Sequence, residues 1–149
     1  MKFFRSIYQK SKEQKGFTLV EMIVVLVIIA ILAAITIPAL LKYIDKAKDK
    51  QLVINARTAY LAAETAASEA YAAGDAIPSG GAIVFDNSKT NTATVEGNAN
   101  NLTGITKTYS CTAKVDSNWK ITEVIYTEGS KKASLNLSST STDWKVEPK

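Results

Sequence analysis

Twenty consecutive uncharged and mainly apolar residues, Met22 to Leu41, dominate the polarity pattern of this 149-residue chain. The sixteen residues before Phe17 are largely polar and basic. After the run the period of the pattern changes twice. From Leu52 onward, Val53, Ala56, Tyr60, Ala63, Ala67, Ala70 and Tyr71 recur three and four residues apart, the spacing of one helix face. From Thr106 the period is two. Tyr109, Cys111, Ala113 and Val115 alternate with Thr108, Ser110, Thr112 and Lys114, as in a strand with one buried face.

These patterns predict a helix over 17–73, stopped at Gly74, since glycine ends helices by adopting the left-handed backbone. Turn residues fill 75–105, with a short strand at Ala82 to Phe85. Asp116-Ser117-Asn118 and Glu128-Gly129-Ser130 then separate strands at 106–115, Trp119 to Thr127 and Lys132 to Leu137. Trp144 and Val146 suit a fourth short strand or a packed tail. The expected organisation is a leader over 1–16, an apolar helix with a basic flank over 17–51, and a globular domain over 52–149. That domain comprises helix 52–73, loop 75–105 and an antiparallel sheet over about 106–147. The expected fold class is α+β. A long N-terminal α-helix, its first half a transmembrane stalk, packs by its second half on a three- or four-stranded antiparallel β-sheet.

As a helix, the twenty-residue run spans about 30 Å, the thickness of a bilayer core. A secretory signal would place a small-residue cleavage site after an apolar stretch of about 7–15 residues. Here the small-to-bulky junction, Gly16–Phe17, comes before the stretch. The pattern therefore favours a retained membrane helix behind a removable polar leader. Thr18-x-x-Glu21 forms a capping box, with Phe17 and Met22 placed as a hydrophobic staple. The five Lys/Arg of the leader are matched by Lys42, Lys46, Lys48, Lys50 and Arg57 beyond the run, so charge does not set orientation.

The run Lys15-Gly16-Phe17-Thr18-Leu19-Val20-Glu21, with the apolar segment and Pro38 behind it, resembles the N-terminus of the type IV pilin family. The related pseudopilins of type II secretion and of competence systems share it. The resemblance covers about the first third of the chain. It implies cleavage by a prepilin peptidase between Gly16 and Phe17, and N-methylation of Phe17. It places Glu21 in subunit register, opposite the Phe17 amine of a neighbouring subunit. It makes Pro38 a point where the helix kinks or melts. It implies a homopolymer with other pilin subunits, driven by an assembly ATPase through a platform protein. The protein would be a single-pass cytoplasmic membrane protein before assembly and an extracellular pilus filament afterwards. The resemblance also sets the leader on the cytoplasmic side.

Bland readings stand beside these. A first-turn Glu21 is favoured by the helix dipole by about 0.3–1 kcal/mol whatever its role. Pro38 fits an ordinary kinked span whose neighbours satisfy the freed carbonyl. Eight alanines in residues 59–73 suit close packing on a sheet better than an inter-subunit surface. Cys111, on the inward side of its strand, reads as an inert thiol.

The formal charge of +4 resides in the leader. Residues 1–16 hold five cations and one anion, so 18 less 5 and 14 less 1 leave thirteen of each beyond it. No specific nucleic-acid partner is expected. The chain has no His and one Cys, which removes the usual general base and any disulfide within one chain. No catalytic, metal or cofactor set is expected, and the protein is not read as an enzyme. The nearest alternative is a pseudopilin. Another class is a single-pass membrane-anchored binding domain, which predicts no cleavage at Gly16.

Overall fold

The structure, a computed structural model, describes residues 16–87, 94–139 and 143–149. The leader up to Lys15, part of the turn-rich loop and most of the Ser138–Thr142 link lie outside these residues. The elements are α1 (Leu19–Ala73), β1 (Ala82–Asp86), α2 (Val95–Thr103), β2 (Tyr109–Val115), β3 (Ile121–Glu128), β4 (Lys131–Asn136) and β5 (Lys145–Pro148). The fold class is α+β. The chain divides into two compact units, one running to Ile44 and one from Asp45 to Lys149.

In the second unit, β1 to β5 form one antiparallel sheet in chain order. Its register carries one row of inward residues across all five strands: Phe85, Cys111, Tyr126, Ala133 and Val146. A second row runs Ile83, Ala113, Val124, Leu135. The bulky members of these rows cluster with a stripe of small residues on α1. Leu52, Ala56, Ala59, Ala63, Ala66, Ala67 and Ala70 are all buried and share one helix face. Alanine has no side chain beyond Cβ, so the helix backbone can approach the aromatic rings of Tyr109 and Tyr126, which stack 5.5 Å apart. Ala63 is fully buried. Ala63→Leu is therefore expected to overpack this layer and destabilise the unit by about 1–3 kcal/mol. Thermal unfolding of the detergent-solubilised chain, followed by the fluorescence of buried Trp119, checks this. An unchanged midpoint would contradict the packing account.

Polar contacts fasten the same helix. The Asn55 amide donates to Glu128 Oε2 at 2.8 Å, and the Tyr126 hydroxyl donates to the same oxygen at 2.8 Å. Lys107 Nζ reaches Glu128 Oε1 at 3.1 Å. Lys131 pairs with Asp49. Burial pulls the Glu128 carboxyl upward, but hydrogen bonds from Asn55, Tyr126 and Lys107 outweigh it, and the group lies below its ordinary value. Burial, with the adjacent Glu128 carboxylate, pushes the Tyr126 phenol up. A carboxyl lowered by folding adds stability above its unfolded pKa, and that stability is lost as pH falls through the folded pKa. Thus the native chain should weaken as pH falls below about 4.5. Glu128→Ala should lower stability at pH 7 by about 1–3 kcal/mol, because Tyr126 and Asn55 lose a buried acceptor. It should also flatten the acid limb. Melting curves at pH 7 and pH 4 test both parts.

Four expectations need correction. The sheet has five strands, because both Ala82–Asp86 and Lys145–Pro148 join it at the edges. The turn-rich region holds a helix, α2. Thr94 caps it, accepting from Gly97 N–H at 3.2 Å, and Gly104 ends it at φ +60°. Its asparagines are poor helix formers, but tertiary bonds override them. Thr103 Oγ1 and Asn100 Oδ1 both meet the Tyr109 hydroxyl, and Ala99 is fully buried. Trp119 belongs to the turn before β3, held at φ +61° between Asp116 and Lys120. Tyr71, placed on the inner helix face by spacing, is exposed.

Candidate functional site

The first unit begins where the capping residues set the helix. Thr18 N–H donates to Glu21 Oε2 at 2.8 Å, and Glu21 N–H donates to Thr18 Oγ1 at 3.2 Å. This reciprocal pair is the capping box, and it satisfies two donors that the first turn leaves without helical partners. The Thr18 hydroxyl adds a bond to the same Oε2 at 3.0 Å. All three bonds tie Glu21 to its own helix start. Among the described residues, the hydrogen bonds to the carboxylate fall on one oxygen, and a carboxylate can accept at both. Gly16 and Phe17 precede the helix, and Phe17 is 79% exposed. A Cβ added at Gly16 would meet nothing within 4 Å.

From Leu19 to Leu41 every large apolar side chain is exposed. The most apolar 18-residue window has a mean hydropathy of 3.1, and none of it is buried. At about 1.5–3 kcal/mol per large side chain, leaving this surface in water would cost some tens of kcal/mol. The segment therefore requires another apolar phase. Glu21 is the one ionisable side chain between Leu19 and Leu41. Thr36 turns its hydroxyl back to the Leu32 carbonyl at 2.9 Å and so presents little polarity. Two residues on, Pro38 cannot donate to the preceding turn, yet α1 is continuous through it. The structure brings Gly16, Phe17, Thr18 and Glu21 into one helix start, and it places Pro38 separately, mid-helix.

Little else in the described residues has the character of a reactive site. Among them no group of three His, Cys, Asp or Glu residues is arranged to hold a metal. Burial pushes the Cys111 thiol up to about 12, so its thiolate is scarce at neutral pH. The Glu128 cluster was not legible from spacing. Its members Asn55 and Glu128 are 73 residues apart, and no local pattern links them.

Comparison with known proteins matches the same segment. Residues 11–37 match the family model described as the prokaryotic N-terminal methylation motif. Fimbrial protein Q of Moraxella bovis is 52% identical over 40 residues, which is 27% of this chain and 26% of that protein. The match thus spans about a quarter of the length of this curated relative. No solved structure matches the chain. The chain carries a prokaryotic N-terminal methylation motif, and the resemblance to the type IV pilin N-terminus is borne out over residues 11–37.

Proposed function

We propose that the chain is the precursor of a type IV pilus subunit, a structural protein and not an enzyme. The observation that carries this is the capped apolar helix itself. Residues 16–41 unite the small-to-bulky Gly16–Phe17 junction, a carboxylate in the first turn and an exposed span-length apolar surface. That surface has two refuges, a bilayer and a bundle of identical helices. Lipid tails are about as apolar as leucine, so transfer between the two is nearly neutral in the hydrophobic term. Direction must then come from outside, through an assembly ATPase and a membrane platform protein. Register comes from charge. A prepilin peptidase cuts after Gly16 and leaves an amine on Phe17, which is then methylated. In a stack of helices, the Glu21 carboxylate receives the Phe17 amine of a neighbour. Pro38 supplies a weak point where the helix can bend or melt as subunits pack.

Mass spectrometry of the N-terminal peptide tests this, comparing protein sheared from the cell surface with protein left in the envelope. A peptide beginning at methylated Phe17 in the sheared, high-mass fraction is the expected result. The same peptide confined to the envelope would indicate a pseudopilin instead. An intact leader in all fractions, in cells with an active prepilin peptidase, would leave a membrane-anchored domain of another kind.

A further inference from the structure

The chain carries two Asn-x-Ser/Thr triplets, Asn101-Leu102-Thr103 and Asn136-Leu137-Ser138, and the fold treats them differently. A glycosyl acceptor of this type needs an accessible carboxamide and an accessible hydroxyl two residues on, so it belongs in a surface turn. Asn101 fails on the second count. It lies inside α2, and its partner Thr103 is buried. Thr103 Oγ1 donates to the Asn100 carbonyl at 2.9 Å and meets the Tyr109 hydroxyl at 3.1 Å.

Asn136 is the last residue of β4, Ser138 lies in the turn after it, and both are exposed. Asn136 Oδ1 accepts from the Ser138 N–H at 2.9 Å, which closes an Asx turn. The Asn136 carbonyl accepts from Ser139 Oγ at 3.0 Å. The turn thus uses the oxygen of the carboxamide. Its nitrogen and the Ser138 hydroxyl make no hydrogen bond among the described residues. Access is open along the strand as well, because β5 pairs with β4 only as far as Ser134. Alternation along β4 sets Asn136 on the face opposite buried Ala133 and Leu135. Asn136 also lines a cavity of about 180 Å³ with Glu123, Ser139, Asp143 and Lys145. Such side chains can donate to and accept from sugar hydroxyls. An Asx turn by itself explains Asn136, but it gives the hydroxyl at 138 no task.

We propose that Asn136 is an N-glycosylation site. The donor is a sugar whose anomeric carbon carries a diphosphate leaving group, and a separate glycosyltransferase joins the two. Asn136 Nδ2 forms the bond to the anomeric carbon. The carbon–oxygen bond to the diphosphate breaks, and the diphosphate departs with the electron pair. One N–H proton passes to a base of the transferase. The bond from the Ser138 N–H draws electron density towards Oδ1, which eases that proton loss. The Ser138 hydroxyl is what the transferase reads, and the first sugar rests against the polar cavity beside Asn136.

The test is mass spectrometry of proteolytic peptides from the full chain, taken from the cells that naturally produce it. Cleavage after Lys132 and Lys145 isolates residues 133–145, which hold Asn136 together with several Ser and Thr. Fragmentation that keeps the glycan on its residue should place it on Asn136 and find Asn101 bare. Ser138→Ala should bring occupancy to background while keeping the turn, whose donor is a backbone N–H. Ser138→Thr should keep occupancy. Asn136→Asp should abolish it and still supply the acceptor oxygen of the turn. A whole glycan without shorter forms would identify a lipid-linked donor. A ladder growing by single sugars would identify nucleotide-linked donors, with the same bond at Asn136. An unmodified 133–145 peptide in every fraction would overturn the proposal. So would a glycan on a Ser or Thr in place of Asn136, or undiminished occupancy in Ser138→Ala.

Discussion

Glu21→Gln is expected to leave the chain inserted in the membrane and to remove nearly all surface filaments. Glutamine keeps an acceptor for the Thr18 N–H, so the capping box survives and α1 begins in the same place. Only the charge is lost. Insertion should not suffer, because a neutral amide costs less to place at an apolar surface than a carboxylate. Assembly should suffer, because a neighbour's Phe17 amine would enter the helix bundle with no counter-charge. An unpaired cation at such depth costs about 2.5–3.5 kcal/mol. At 1.4 kcal/mol per factor of ten, that lowers the equilibrium for each subunit addition roughly 60- to 300-fold. Glu21→Ala should behave the same in assembly and add a small loss from the weakened cap. Shearing cells and weighing the high-mass fraction, with membrane-bound protein as the internal control, reads both effects. Normal filaments from Glu21→Gln would mean that Glu21 serves only its own helix start.

The parts of the molecule that were readable in the chain are those where one local rule decides. Twenty uncharged residues announce a helix needing an apolar phase. Thr18 and Glu21 stand at the three-residue offset of the capping box, and the structure holds them in that geometry. Gly74 ends α1 at φ +77°, with Asp75 N–H bonded to the Ala70 carbonyl and Gly74 N–H to that of Tyr71. Tyr109 to Val115 alternates as written. What local rules missed depends on distant partners. Residues 95–103 form a helix because Asn100, Thr103 and Ala99 find Tyr109 and the core. The edge strand Lys145–Pro148 exists because β4 offers it a row of backbone partners from Lys131 to Ser134. The motif at the N-terminus is legible for the opposite reason. Its match runs over contiguous residues, 11–37, so no distant partner is needed to read it.

Gly16→Leu is expected to stop processing outright, so that the precursor accumulates with its sixteen-residue leader and no filaments form. A Cβ added at this position meets nothing within 4 Å among the described residues, and no left-handed φ is imposed there. The substitution therefore leaves the chain's own packing alone, and any effect belongs to recognition of the Gly16–Phe17 bond. Its consequence for assembly follows from charge. The leader holds Lys2, Arg5, Lys10, Lys12 and Lys15 against Glu13. On the proposed assembly route, the N-terminus of α1 leaves the cytoplasmic face and passes through hydrocarbon to join a filament. Five cations at about 2.5–3.5 kcal/mol each set a barrier above roughly 10 kcal/mol. Cleavage exchanges that load for one amine, and Glu21 can neutralise one amine. Under the proposed function the leader is an anchor of charge, and the expected cut would convert a membrane-locked chain into one that can be extracted at little hydrophobic cost. Intact-mass measurement of the membrane fraction checks the first step, and electron microscopy of the cell surface checks the second. A mature chain beginning at Phe17 in Gly16→Leu cells would refute the cleavage site. Filaments built from uncut chains would refute the charge barrier.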